Sequence, residues 1–129
     1  MILGFSILNP RNNRTTNFVE KIITKTKLHT IRQGERWISG MNIHMATGMR
    51  TKYYKQFNKD RPDLQKCLST QKIIIISSKK DIFIDGRRLP LVEQWKLIYF
   101  DGFDFVEDFW EWFDKDFTGQ IIHWTKLKY

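Results

Sequence analysis

At 129 residues, 41% hydrophobic and 15% aromatic, the chain is too short for two ordinary cores and too apolar for disorder, so a single domain over 1–129 is expected. Net charge is +8, and no run approaches the roughly 20 apolar residues that cross a bilayer; the longest aliphatic run is Ile73–Ile76. The lone cysteine, Cys67, excludes an internal disulfide framework and a Cys-rich metal centre, and it predicts a reducing, cytoplasmic location; Met1–Pro10 lacks the marks of a secretory leader.

Met1–Leu8 reads as a short buried strand. Asn17 is placed to cap a helix from Phe18 to about Thr26, because Phe18, Ile22 and Ile23 fall near one face. Leu28–Arg32 reads as a strand, with Gly34 as punctuation. Gly40 and Gly48 bracket Asn42–Met45, whose alternation suits a half-buried strand. Arg50–Leu64 is polar, basic and aromatic and reads as a long loop with a helical turn. Leu68–Ser77 holds a central strand around Ile73–Ile76, since β-branched density over so short a run favours strand. Ile82–Ile84, Asp85-Gly86 and Arg87–Leu89 form a hairpin pattern, because Asp-Gly accepts the positive φ angles of a type I′ turn.

Pro90 opens a helix through about Tyr99. Asp104 and Glu107 make a capping-box pattern ahead of a helix from Phe105 to about Lys115. Its buried stripe is read as Phe105, Phe109, Trp112 and Phe113, with Glu107, Asp108, Glu111 and Asp114 facing water. Gly119 ends that excursion, and Gln120–Tyr129 reads as a closing strand with Ile122, Trp124 and Leu127 inward. Short strands, a hairpin and two or three helices predict an α+β fold: a small, mostly antiparallel barrel with helices packed on it.

Charge is polarised along the chain. Arg11 to Arg61 carries twelve Lys/Arg against three acids, a net of +9, whereas Asp104 to Asp116 carries six acids and one lysine, a net of −5. Phe18, Trp37, Tyr53, Tyr54 and Phe57 interleave with the cations, a composition suited to gripping phosphates and stacking bases. RNA, a nucleoside or a nucleotide is therefore the expected partner. The competing expectation is a basic face that docks an acidic protein.

His29, His44 and His123 lack paired ligand spacing, and the glycines fit no phosphate loop or dinucleotide fingerprint, so neither metal nor cofactor is expected. What remains is Lys27-Leu28-His29-Thr30-Ile31-Arg32. On a strand, Thr30 and Arg32 project to one face; Lys27 joins them only from a turn before the strand begins. An ammonium, a hydroxyl and a guanidinium together make an anion- or carbonyl-binding corner.

This segment, followed by Trp37, Gly40 and a strand, resembles the Lys-x-x-Thr-x-Arg signature of ASCH domains, a branch of the PUA-like β-barrel superfold. The central strand at Ile73–Ile76, a helix, Asp101-Gly102-Phe103, an acidic aromatic helix and a final strand follow in the family's order, so the resemblance spans roughly Phe18 to Tyr129. It implies a PUA-like barrel in which the acid-Gly pair lines the same cleft as the Lys/Thr/Arg corner. It also implies either association with RNA or hydrolysis of the amide of an N4-acylated cytidine. In the second case Thr30 would be the nucleophile, Lys27 the base once burial lowers its pKa, and Asp101 the proton shuttle, with Arg32 holding the base or the oxyanion. A ribonuclease using the same groups is a further expectation. Members with described activity usually carry Glu where this chain has Asp101, one methylene shorter, a departure that bears on catalysis more than on binding. Gly48–Tyr54 is expected to lie over the cleft as a lid or strand-gripping loop, so Arg32, Trp37, Arg50, Lys52 and Tyr53 are the expected substrate- or RNA-binding residues.

Overall fold

A computed structural model describes residues 1–129, in which the elements run β1 (Ile2–Gly4), α1 (Phe18–Ile23), β2 (His29–Gln33), β3 (His44–Thr47), β4 (Lys55–Gln56), β5 (Ser69–Ile76), β6 (Asp81–Ile84), β7 (Arg87–Arg88), α2 (Leu91–Phe100), α3 (Val106–Trp112) and β8 (Phe117–His123). The strands form a three-stranded sheet, β1-β3-β4, and a five-stranded sheet, β2-β8-β5-β6-β7. Every pairing is antiparallel except β1 with β3. The fold class is thus α+β and mostly antiparallel, as the sequence predicts, but the expected barrel does not close. β1 pairs with β3 rather than with β2, β2 has β8 as its only strand partner, and the two-residue strands β4 and β7 end their sheets. No helix is long and apolar enough to cross a membrane.

Local chemistry explains most element ends. Asp85 and Gly86 take φ of 50° and 82°, the positive values that a tight hairpin between β6 and β7 demands. β5 alternates, burying Gln71, Ile73 and Ile75, and pairs with both β6 and β8 at the centre of the larger sheet. A cluster of 23 buried apolar residues draws on both sheets and all three helices.

Several expectations are corrected. The strand at 1–8 narrows to Ile2–Gly4, with Leu3 and Phe5 buried and Ile7 and Leu8 exposed. Asn17 sits at φ 54° and makes no side-chain cap, and α1 stops at Ile23 ahead of Lys25 at φ 64°. Asp104 does not cap α3: its carboxylate is 2.9 Å from Lys21 Nζ. Phe105 is 55% exposed, lying beneath the Arg14 guanidinium instead of in the core. The closing strand begins at Phe117 and ends at His123. Gly119 is inside it, because any side chain there would collide with the Arg32 backbone. Nor does the acidic face of α3 meet only water. Asn12 donates to Asp108 and Glu111, both at 2.8 Å, while Arg14 and Arg11 pair with Asp108 and Asp114. The basic start of the chain thereby neutralises the acidic helix in cis.

Candidate functional site

Lys27 reaches its place because α1 ends early. The N–H groups of Thr26 and Lys27 both donate to the Lys21 carbonyl, which leaves Lys27 in the turn before β2. Its stem crosses Gly102, at φ 101°, where an added Cβ would lie 2.9 Å from both Lys27 Cδ and the Phe18 ring. Gly102 is therefore needed twice, for its backbone conformation and for the lysine's approach. Replacing Gly102 by Ala is expected to lower stability by about 1–3 kcal/mol. Urea unfolding checks this, and an unchanged midpoint would contradict it.

The lysine's ammonium is 1% exposed, donates to the Asp101 carbonyl, and stands 3.6 Å from Asp101 Oδ1. It also lies 4.5 Å from the centroid of Phe18. Burial pushes the Lys27 amine down to about 8; the Asp101 carboxylate opposes that shift, and Arg32 adds to it. Arg32 is held from three sides. Its Nη1 donates to Thr30 Oγ1 at 2.9 Å and to the Ile31 carbonyl at 3.0 Å, and its Nη2 donates to the Gly4 carbonyl at 2.6 Å. Burial lowers its pKa as well. The Phe5 ring serves both cations, 5.2 Å from the Arg32 guanidinium and 5.9 Å from Lys27 Nζ.

Asp101 ends α2, and its Oδ1 is 3.0 Å from His29 Nδ1. His29 Nε2 in turn lies 2.6 Å from the Tyr129 hydroxyl. His29 faces His123 across the β2–β8 pairing, their rings 5.3 Å apart, and His123 Nε2 bonds to Gln71. Burial holds both histidines below their ordinary pKa, His123 at about 3.

Lys27, Thr30, Arg32 and Asp101 thus come together from two separate segments of chain, 27–32 and the end of α2. Two features of the expectation are not met. Lys27 and Thr30 share no hydrogen bond: the amine is given to Asp101, and the threonine hydroxyl accepts from Arg32. The group is also roofed rather than open: Lys27, Thr30 and Asp101 are buried, Arg32 is half-buried, and Gly4 and Phe5 lie against its guanidinium. Above that roof runs an open groove of ≈ 520 Å³ between Gly4–Leu8 and the Gly48-Met49 turn. Arg50 and Lys52 lie exposed on the loop beyond that turn with Tyr53, 73% exposed, and Lys52 stacks on the tyrosine ring. Trp37 is not on this surface. It is buried in the core at 3% exposure, its backbone clasped by the Gln120 amide, so it has no face to offer a base.

Phe5, His29 and Tyr129 complete the site and escaped the sequence reading. Their only signal was residue type: an aromatic ring, an imidazole and a phenol, each far along the chain from the Lys/Thr/Arg segment or hidden within it. Compared with known protein families, with curated proteins and with solved structures, the chain matches none.

Proposed function

We propose that this is a small ASCH-like, PUA-like domain that binds RNA or a modified nucleoside at the Lys27–Thr30–Arg32–Asp101 cluster. The observation that carries the reading is a buried ammonium, Lys27, beside a half-buried guanidinium, Arg32, with one carboxylate, Asp101, 3.6 Å from the ammonium. Burying such charges costs stability, and a hydrophobic core needs none of them; a positive, desolvated corner suits an anionic or carbonyl-bearing ligand. The groove on the far side of Gly4 and Phe5 supplies a route along which a strand meets Arg50, Lys52 and Tyr53. A nucleoside enters the corner by displacing the Phe5 ring, itself an aromatic face on two cations.

Affinity for short single-stranded RNA is expected to fall log-linearly with salt, about 0.7 in slope for each phosphate contact. Arg50→Ala and Lys52→Ala should each flatten that slope by about one contact. Binding that ignores salt, or none at all, overturns the reading.

The lowered Lys27 pKa favours a second reading, amide hydrolysis of an N4-acylated cytidine. It requires the Lys27 amine to exchange Asp101 for Thr30 when substrate binds. Turnover should vanish in folded Lys27→Ala and Thr30→Ala proteins; turnover that persists in either rejects the assigned roles.

A further inference from the structure

Asp101 has no ion-pair partner that would hold its carboxylate at one angle except Lys27 and His29. The carboxylate only accepts, so His29 Nδ1 must carry the proton it donates, at 3.0 Å. Burial keeps His29 neutral, which leaves Nε2 a bare acceptor. The Tyr129 hydroxyl, 2.6 Å away, is the donor that fills it. Every link in this chain is directional, and each end is anchored. The Tyr129 backbone is clamped to Gln71, its N–H donating to Oε1 at 2.9 Å and its carbonyl accepting from Nε2 at 2.7 Å. Gln71 is fixed in turn by Asp85 and His123.

We propose that Tyr129 and His29 act as positioning residues, locking one imidazole tautomer so that the Asp101 carboxylate is held toward the Lys27 amine. A shared purely structural role would be met by any buried polar pair. This arrangement instead specifies which nitrogen carries the proton and which oxygen of Asp101 receives it, and so what charge Lys27 faces. The proposal rests on the reading of Lys27 and Asp101 as site groups, and its test needs no ligand, so a failure to bind RNA and a failure of the lock are read separately.

Nitrogen-15 NMR of the imidazole in the full chain should show His29 predominantly in the Nδ1–H form above pH 7. In Tyr129→Phe, which removes only the hydroxyl, Nδ1–H still faces Asp101, so the tautomer should persist while the Nε2 shift moves toward that of an unbonded nitrogen and the amide spectrum stays folded. An Nε2–H form in the unmodified protein, or an Nε2 shift unmoved in Tyr129→Phe, overturns the lock. For the effect on the amine, Lys27 is titrated by its side-chain carbon and nitrogen shifts. His29→Leu should move its midpoint by a pH unit or more. His29→Asn, whose amide nitrogen falls where Nδ1 stood, should restore it. A midpoint unmoved in His29→Leu, or equally displaced in His29→Asn, assigns His29 to packing alone. Should His29→Leu fail to fold, Tyr129→Phe carries both measurements.

Discussion

Replacing Asp101 by Asn should destabilise the protein by about 3–5 kcal/mol near pH 6 and by much less near pH 10. Asn keeps an oxygen for His29 to donate to and leaves the backbone carbonyl that Lys27 uses, so the substitution removes chiefly the negative charge. That charge opposes the burial that draws the Lys27 amine down to about 8. Below pH 8 the lysine is protonated in the unmodified fold, and the variant would hold an ammonium with Arg32 nearby and no counter-ion. As pH rises through about 8 the amine of the fold becomes neutral, its attraction to Asp101 is lost, and the difference between the two proteins narrows to what the carboxylate does for Arg32. The sign for Lys27 itself is consistent. Its folded pKa lies below the unfolded value of 10.5, so the cost of burying it is full below pH 8 and is relieved as pH climbs toward 10.5. Urea titrations of both proteins at pH 6 and pH 10 measure the effect. A loss of equal size at both would show that Asp101 acts through shape and not through charge.

The second large effect belongs to the histidines. His29 and His123 are fully buried, and burial lowers both pKa values, His123 to about 3, with His29 and Lys128 adding to the lowering. Unfolded, each returns to 6.5, so the unfolded chain binds the extra proton first. The histidines' contribution is therefore complete above pH 6.5 and declines as pH falls, for His123 from 6.5 toward 3, by up to roughly 1.4 kcal/mol per pH unit. Over that window His123 alone accounts for about 4–5 kcal/mol. His123→Gln, which can still meet the Gln71 side chain, should remove about one proton from the slope between pH 7.5 and pH 5. A fold as stable at pH 5 as at pH 7.5 would contradict the burial of both rings.

The parts of this fold that local chemistry dictates were legible. Asp85-Gly86 folds as the hairpin turn because the positive φ requirement is satisfied by those two residues alone. The Ile73–Ile76 run lies in the central strand because nothing but sheet burial suits such density of β-branched side chains. At the site, period-two alternation placed Thr30 and Arg32 together, and the helix end placed Lys27 in the turn before them. Burial of a particular ring is decided elsewhere. Trp37 reads as a basic-segment aromatic and is core, whereas Phe105 reads as core and is exposed under Arg14. Contacts across long stretches of chain were invisible: Tyr129 meets His29 at a separation of 100 residues, and the Gly4 carbonyl meets Arg32 at 28. The barrel did not close because strand pairing in the first fifty residues is settled by which edge β1 finds, and it finds β3.

A nucleic-acid ligand that reaches the cations behind Phe5 must disturb the groups around them. Short single-stranded RNA or cytidine derivatives are added to the labelled protein, and the Phe5 ring, the Thr30 methyl and the Arg32 guanidinium are followed by NMR. All three should shift together and saturate with ligand, the Phe5 ring leaving its place against Lys27. Saturating shifts confined to Arg50, Lys52 and Tyr53, with the three inner groups unmoved, would place the ligand on the surface loop alone and rule out the proposed site.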